Sequence, residues 1–370
     1  MSVADLALQR SKYKHLSDDE WRWFLQQVEG KERTADKLPT FAAIEDWWYP
    51  VRLSCEQCSS ELAARYKASL ISNFKFQVSN FADLTGGYGV DTYFISEQFT
   101  HTDYVEQNAE LCRIATHNFA NKPITIHNSS AENFLKTARQ YDLIFLDPAR
   151  RDSHGGKVFR LEDCTPNVVE LLPTLLAHGK RLMIKLSPML DLTQAVKELS
   201  AFSLQWSVYV VAIKNEVKEV LLLSGSSGQI TAIDLDKKDQ VFVFTRDQET
   251  HCPLATNHSP FAFIFEPNAA ILKSGAYKLV AQRFGLHKLD VNTHLYCSDT
   301  LIDNFPGRVW RITEKQDLKQ ANVLCRNYPL TPEQLKKKLH LRDGGTAYVI
   351  GCRVAGKPTL FFAERMEDIH

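Results

Sequence analysis

The apolar positions of this chain change period along its length. Between residues 18 and 28 they recur at helical spacing, with Trp21, Phe24, Leu25 and Val28 on one face. Ser17 precedes the run and Glu20 stands three residues on, the arrangement of a capping box, so a helix is predicted over 18–28. Residues 38–49, with Pro39, Trp47 and Trp48, are expected to turn the chain, and 56–70 reads as another helix. From residue 81 the pattern becomes short unbroken apolar runs alternating with helical stretches. Strands are predicted at 81–83, 103–105, 124–127, 142–146 and 181–186, with helices at 90–98, from after 106 to about 119, at 131–140 and at 192–200. That alternation belongs to a doubly wound, mainly parallel α/β sheet. Two β-rich runs follow at 206–213 and 219–224, and the link between them, 214–218, leaves no room for a helix. A hairpin that closes the sheet in antiparallel fashion is therefore expected.

Gly225 to Gly228 (GSSG) reads as a linker. Beyond it, strands are expected at 241–245, 262–265, 293–296 and 309–313 around a helix at 269–284. A second group has a strand at 321–324, a helix at 332–340 and a hairpin of 348–353 and 359–363 that turns at Ala355-Gly356-Lys357. The expected domains are a helical region over 1–70, an α/β domain over 71–225 and small α+β units over 229–315 and 316–370.

At 370 residues and 44% hydrophobic, the chain is long enough for each domain to bury a core. Forty-four basic and 44 acidic residues balance, so nucleic-acid binding would have to come from a local patch. Eight cysteines without framework spacing, and a start without an apolar signal core, suggest a reducing, cytoplasmic setting. No apolar run approaches the length of a membrane span. The one C-x-x-C, Cys55 to Cys58, has no second pair and falls in a helical pattern, so no metal is assigned.

The chemistry concentrates first at residues 81–91, FADLTGGYGVD. A strand ends in Asp83, a turn holds Gly86, Gly87 and Gly89, and a helix opens at Val90. Such a turn lets a ligand approach the backbone and presents unpaired N–H groups of the helix start. Glu106 ends the next strand about 20 residues on, the spacing at which an acid reaches nucleotide ribose hydroxyls. Dinucleotide binding is one reading, but carboxylates on both sides of the glycines (Asp83 and Asp91) would repel a pyrophosphate and suit a cationic cofactor. Asp83, Thr85, Gly86, Gly87 and Gly89 resemble the first motif of class I S-adenosylmethionine-dependent methyltransferases, and Glu106 resembles their ribose-binding acid. The hairpin at the end of the sheet agrees, since a dinucleotide dehydrogenase usually continues with a helix. The resemblance implies S-adenosyl-L-methionine as cofactor and a seven-stranded Rossmann-like sheet. It adds Gln57 and Ser59, from a segment folded over the methionine end, and Gln107, Ser130 and Ala131 after the second and third strands. Ser129 and Ser130 stand where an adenine-binding Asp is common, so that contact is expected to pass to backbone groups.

The second informative stretch is YDLIFLDPARRD, residues 141–152. Asp147-Pro148 ends a buried strand at its carboxyl end, where open α/β sheets place ligands. It resembles the fourth methyltransferase motif, with Ala149 in place of a second proline and Arg150 in place of the aromatic that holds a flipped base. Asp-Pro-x-Arg is closer to the motif of RNA uracil-C5 methyltransferases. Those need a nucleophilic cysteine after the next strand. Ser187-Pro188 stands there instead, which excludes the covalent mechanism. Asp147 is the candidate to orient the nucleophile or take its proton and to touch the cofactor, with Pro148 and Arg150 beside it. Arg150, Arg151 and the loop 153–157 are expected to grip a substrate phosphate or carboxylate, with Lys185 and Ser187 alongside.

The two C-terminal units look ferredoxin-like. The last, with Asn327, Tyr328, Pro329, Leu330 and the basic run 336–338, resembles the THUMP-like domain of a bacterial methyltransferase subfamily. THUMP domains proper bind RNA, so RNA is the expected partner, with Lys336 and Lys337 as phosphate contacts. Two alternatives stay open: methylation of a small molecule or protein, and a non-catalytic RNA-binding protein that retains the cofactor fold.

Overall fold

The computed structural model describes residues 3–74, 76–150, 161–200, 204–225, 227–237, 240–256, 260–315 and 317–366. The architecture is mixed α/β: N-terminal helices, a mainly parallel nine-stranded sheet and a second, mainly antiparallel sheet toward the C-terminus. By its contacts the chain divides into two compact units, one of Met1–Trp206 with Leu221–Ser226, the other of Ser207–Val220 with Ser227–His370.

In the first unit the capping box at Ser17 forms as its sequence implies. The Ser17 hydroxyl accepts from Glu20 N at 3.3 Å, and the Glu20 carboxylate accepts from Ser17 N at 2.7 Å. The helix runs on past the predicted residue 28, as Asp18–Thr34. The single helix expected over 56–70 is two helices, Arg52–Gln57 and Glu61–Ile71. Cys58 leaves helical geometry and the Ser60 side chain caps the second helix by accepting from Ala63 N, an alternative that serine offers the backbone locally. The break places Ser59 in a buried corner between the two.

These helices are fastened to the sheet layer by aromatics. Phe41 stacks on Trp47 with centroids 4.0 Å apart, and Trp47 Nε1 donates to the Tyr88 hydroxyl at 2.9 Å. Trp48 stacks on His117 at 3.8 Å, while the Asn118 amide pairs with both Trp48 N and Trp48 O at 2.9 Å. Tyr88 lies within the glycine turn, so the N-terminal region is tied directly to the predicted ligand site.

Strand order in the first sheet is Val241–Phe244, Ile230–Asp234, Trp206–Ile213, Glu216–Ser224, Leu182–Leu186, Leu143–Leu146, Asn80–Asp83, His101–Glu106, Ile124–Asn128. Asn80–Asp83 sits between Leu143–Leu146 and His101–Glu106, parallel to both. The order reverses about that strand, and the carboxyl ends of all three converge there, which is where doubly wound sheets bind ligands. Phe81, Ala82, Leu143, Ile144, Leu182 and Ile184 are fully buried, as strands covered on both faces require. The hairpin of Trp206–Ile213 and Glu216–Ser224 is present, but the sheet carries two strands more than the seven expected. Ile230–Asp234 joins it parallel to Trp206–Ile213, and Val241–Phe244 adds at the edge.

The second sheet runs His287–Asp290, Thr293–Ser298, Phe263–Pro267, Gly307–Thr313, Lys357–Met366, Ala347–Val354, Asn322–Arg326. Only its last pair is parallel. Gly307–Thr313 pairs on one side with Phe263–Pro267 and on the other with Lys357–Met366, so the two small C-terminal groups share one sheet. The helix expected over 269–284 divides at Gly275, whose φ of +82° is left-handed and ends Ala269–Ser274.

Candidate active site

The glycine turn is built from three glycines that are there for two kinds of reason. A Cβ on Gly86 would lie 2.1 Å from Tyr104 Cε2, and one on Gly89 would lie 2.5 Å from Phe119 Cζ. Both are glycine because an aromatic ring occupies the place of a side chain. Gly87 differs. Its φ of +52° is left-handed, as is the +82° of Gly89, but the nearest atom to an added Cβ is the Thr85 carbonyl oxygen at 3.8 Å, so that position faces open space. The Tyr104 hydroxyl donates to Gly87 O at 2.5 Å and holds the turn from beneath.

Four carboxylates surround this turn. Asp83 is buried, accepting from Thr85 N at 3.0 Å and from the Thr92 hydroxyl at 2.6 Å. Burial outweighs both hydrogen bonds and pushes its pKa up to about 7. Glu106 spans the turn: one oxygen accepts from Gly87 N at 3.0 Å, the other from Asn108 N at 2.8 Å. Each oxygen keeps accepting capacity for a ligand hydroxyl. Asp147 is linked to the turn through its backbone N–H, which donates to the Thr85 hydroxyl at 2.6 Å, and its carboxylate pairs with Lys185. Asp91, in the first turn of helix Val90–Ser96, pairs with Lys67 at 3.1 Å and lies 4.0 Å from Lys185. Burial works to raise its pKa, but Lys67, Lys185 and the Ser59 hydroxyl together hold it below the usual carboxylate value.

A cavity of about 330 Å³ opens over these groups, within the usual range of small-molecule clefts. It is lined by Asp83, Thr85, Gly86, Gly87 and Gly89, by Glu106 and Gln107, by Ser130 and Ala131, by Gln57 and Ser59, and by Asp147. Every residue proposed from sequence for the cofactor thus lies on one wall or another. Ser130 has a second duty, its side chain capping helix Ala131–Leu135 by accepting from Asn133 N. The substrate-side proposals are placed differently. Lys185 turns its ammonium to Asp147 and toward Asp91, and neither it, Pro148 nor Ser187 lines the cavity. The backbone of Arg150 pairs with Cys164, whereas Arg151 and residues 153–157 lie outside the described residues. Lys336 and Lys337 belong to the second unit, in helix Pro332–Lys338, where Lys336 pairs with Asp343 at 2.7 Å and Lys337 is exposed. Among the described residues no three His, Cys, Asp or Glu side chains gather to hold a metal ion, and no helix is long and apolar enough to cross a membrane.

Known proteins supply the next observation. The profile of a ferredoxin-like domain matches residues 263–306, and that of a THUMP domain-like module matches 307–365. An uncharacterized S-adenosylmethionine-dependent methyltransferase of Mycobacterium tuberculosis (strain H37Rv) is 21% identical over 351 residues, 90% of this chain and 92% of the relative. A crystal structure assigned to a methyltransferase of Porphyromonas gingivalis W83 is 31% identical and covers 95% of this chain and 92% of its own, with a TM-score of 0.84. The chain belongs to this methyltransferase family. It is an S-adenosylmethionine-dependent enzyme with ferredoxin-like and THUMP-like C-terminal domains.

The residues of this methyltransferase fit that cofactor on two grounds. Gly87 leaves free the volume that a Cβ would fill at the cavity floor. The charge balance also suits a cation: Lys67 and Lys185 pair with Asp91 and Asp147, while Glu106 and Asp83 are held by neutral donors. Sequence reasoning missed Ser54, Cys58, Leu111, Thr165 and Pro166 in the cavity wall. Thr165 arrives there because Ala149 pairs with it across a two-residue ladder, a contact over 16 positions that no local pattern encodes. It also missed Lys67, whose helical spacing marks only an ordinary helix residue.

Asp83 gives the methyltransferase a pH dependence. An acid whose pKa is higher folded than unfolded binds its proton more tightly in the folded chain. Its contribution is most favourable at low pH and is lost as pH rises from about 4 to about 7. In Asp83→Asn the amide oxygen can still accept from Thr85 N, and the NH2 group can donate to the Thr92 hydroxyl with that bond reversed, without the ionisation. The melting temperature of the ligand-free variant is expected to fall less than that of wild type between about pH 5 and about pH 8. Parallel melting profiles would show that Asp83 does not titrate there.

Proposed function

We propose that this methyltransferase acts on RNA. The observation that carries the reading is the THUMP-like match over 307–365 on a chain whose other unit holds the cofactor cavity. It is supported by exposed Lys337, Lys338, His340 and Arg342 in and after helix Pro332–Lys338, side chains suited to phosphate contacts. The pairing of Lys336 with Asp343 is partly solvated and leaves that lysine able to exchange partners.

When bound, S-adenosylmethionine supplies an electrophilic methyl group on a sulfonium whose charge already activates departure. The remaining work is positioning. Glu106 is oriented by two backbone N–H groups to accept from ribose hydroxyls, and Gly87 leaves room for the ligand. Ser59 and Gln57 close the cavity from the N-terminal helices. Asp147, partly exposed at the end of Leu143–Leu146, is proposed to accept a hydrogen bond from the nucleophilic atom and receive its proton. Lys185 fixes the orientation of that carboxylate. Arg150 is proposed to fix the substrate beside it.

The test is transfer of radiolabelled methyl groups from S-adenosylmethionine to total RNA purified from a strain lacking the protein. Label in an RNA fraction that wild-type RNA does not accept supports the reading. Label appearing only in protein or in small molecules would overturn it.

A further inference from the structure

From the cavity wall inward, four charged side chains and one hydroxyl form a chain that crosses four segments of the fold. Lys67, on helix Glu61–Ile71, is completely buried, and its ammonium pairs with Asp91 Oδ1 at 3.1 Å. Asp91 Oδ2 accepts from the Ser59 hydroxyl at 2.7 Å, and Ser59 in turn accepts from Lys67 at 3.3 Å. The same Asp91 oxygen lies 4.0 Å from Lys185 Nζ, and Lys185 pairs with Asp147 at the substrate side. Exposure rises along the chain, from 0% for the Lys67 side chain through 10% for Asp91 and 12% for Lys185 to 38% for Asp147.

Among the described residues two cations balance two anions in this group, but its partners are not equivalent. Lys185 stands between two carboxylates, in contact with the more exposed one and further from the buried one. Attraction alone would favour the opposite, because a buried carboxylate is the one that most needs a counter-ion. What satisfies Asp91 first is Lys67, closer by 0.9 Å than Lys185. Lys185 is thereby left to Asp147.

We propose that Lys67 is a positioning residue for methyl transfer: by neutralising Asp91 it keeps Lys185 on Asp147 and so sets the direction in which the Asp147 carboxylate faces the acceptor. The proposal rests on the role given above to Asp147. It assigns to the N-terminal helices, through a residue that does not line the cavity, control over the orientation of the acceptor-side acid.

The test is the crystal structure of the full-length Lys67→Met variant, which matches the lysine stem as far as Cε and omits the ammonium, together with its methyl-transfer kinetics on the RNA used above. Lys185 Nζ is expected to move into hydrogen-bond contact with Asp91 and away from Asp147. Turnover is expected to fall by about a hundredfold, the scale of a misplaced reacting group, with S-adenosylmethionine affinity changed far less. Should that variant not fold, Lys67→Met combined with Asp91→Asn keeps the group neutral, and Lys185 is expected to remain on Asp147 in its structure. Lys185 remaining on Asp147 in Lys67→Met, with Asp91 protonated instead, would overturn the proposal, as would its leaving Asp147 in the double variant. If wild type labels no RNA, the substrate reading fails while the position of Lys185 still tests this one.

Discussion

Gly87→Asp is expected to lower S-adenosylmethionine affinity by at least about a hundredfold, a loss of roughly 3 kcal/mol, and to leave a folded protein. The new side chain would project into the open volume above Thr85, the space assigned to the cofactor, and would set a second carboxylate beside Glu106. The left-handed φ of +52° costs a non-glycine residue about 1–2 kcal/mol, which aspartate tolerates better than most. Calorimetric titration measures the affinity, and a thermal melt reports the fold. Gly86→Ala is the informative contrast. There the Cβ would meet the Tyr104 ring rather than a ligand, so the expected damage is to stability. Retained affinity in a folded Gly87→Asp would mean that the cofactor does not lie against this turn.

Asp147→Asn is expected to lower turnover by about two to three orders of magnitude while changing cofactor affinity no more than about threefold. The asparagine keeps the backbone N–H that donates to Thr85, so the link between the two motifs survives. It loses the charge that Lys185 orients and the capacity to receive a proton from the acceptor. Rapid-quench measurement of a single turnover with prebound cofactor isolates the chemical step. Equal loss in affinity and in turnover would make Asp147 a cofactor ligand first.

How much of this was legible before the structure follows from the range of each signal. The capping box at Ser17 and the strand-turn-helix at Asp83 to Val90 are local, and they formed as their residues imply. The break at Cys58 to Ser60 is not legible because EQCSSELAARYKASL keeps helical composition throughout, and in such a run a capping serine looks the same as one inside a helix. Two strands beyond seven are not legible because ITAID at residues 230–234 is short and partly polar, and the strand expected at 241–245, assigned by its place in the chain to the C-terminal α+β unit, joins this sheet only through it. In the site, the glycines could be marked as special from their spacing, but not sorted. That Gly86 accommodates Tyr104 and Gly87 leaves an opening depends on a strand about 17 positions away. Lys67, Asp91, Lys185 and Asp147 come from four separate segments, and their shared charge balance exists only once those segments are packed.

Where the cofactor lies decides most directly between these assignments, and a crystal structure of the wild-type protein with S-adenosylhomocysteine would show it. The predicted result places the ribose hydroxyls on the Glu106 carboxylate, the ligand chain over Gly87 and the thioether sulfur toward Asp147. Ligand bound elsewhere, or turned so that the sulfur faces away from Asp147, would contradict the assignment of this cavity as the site of methyl transfer.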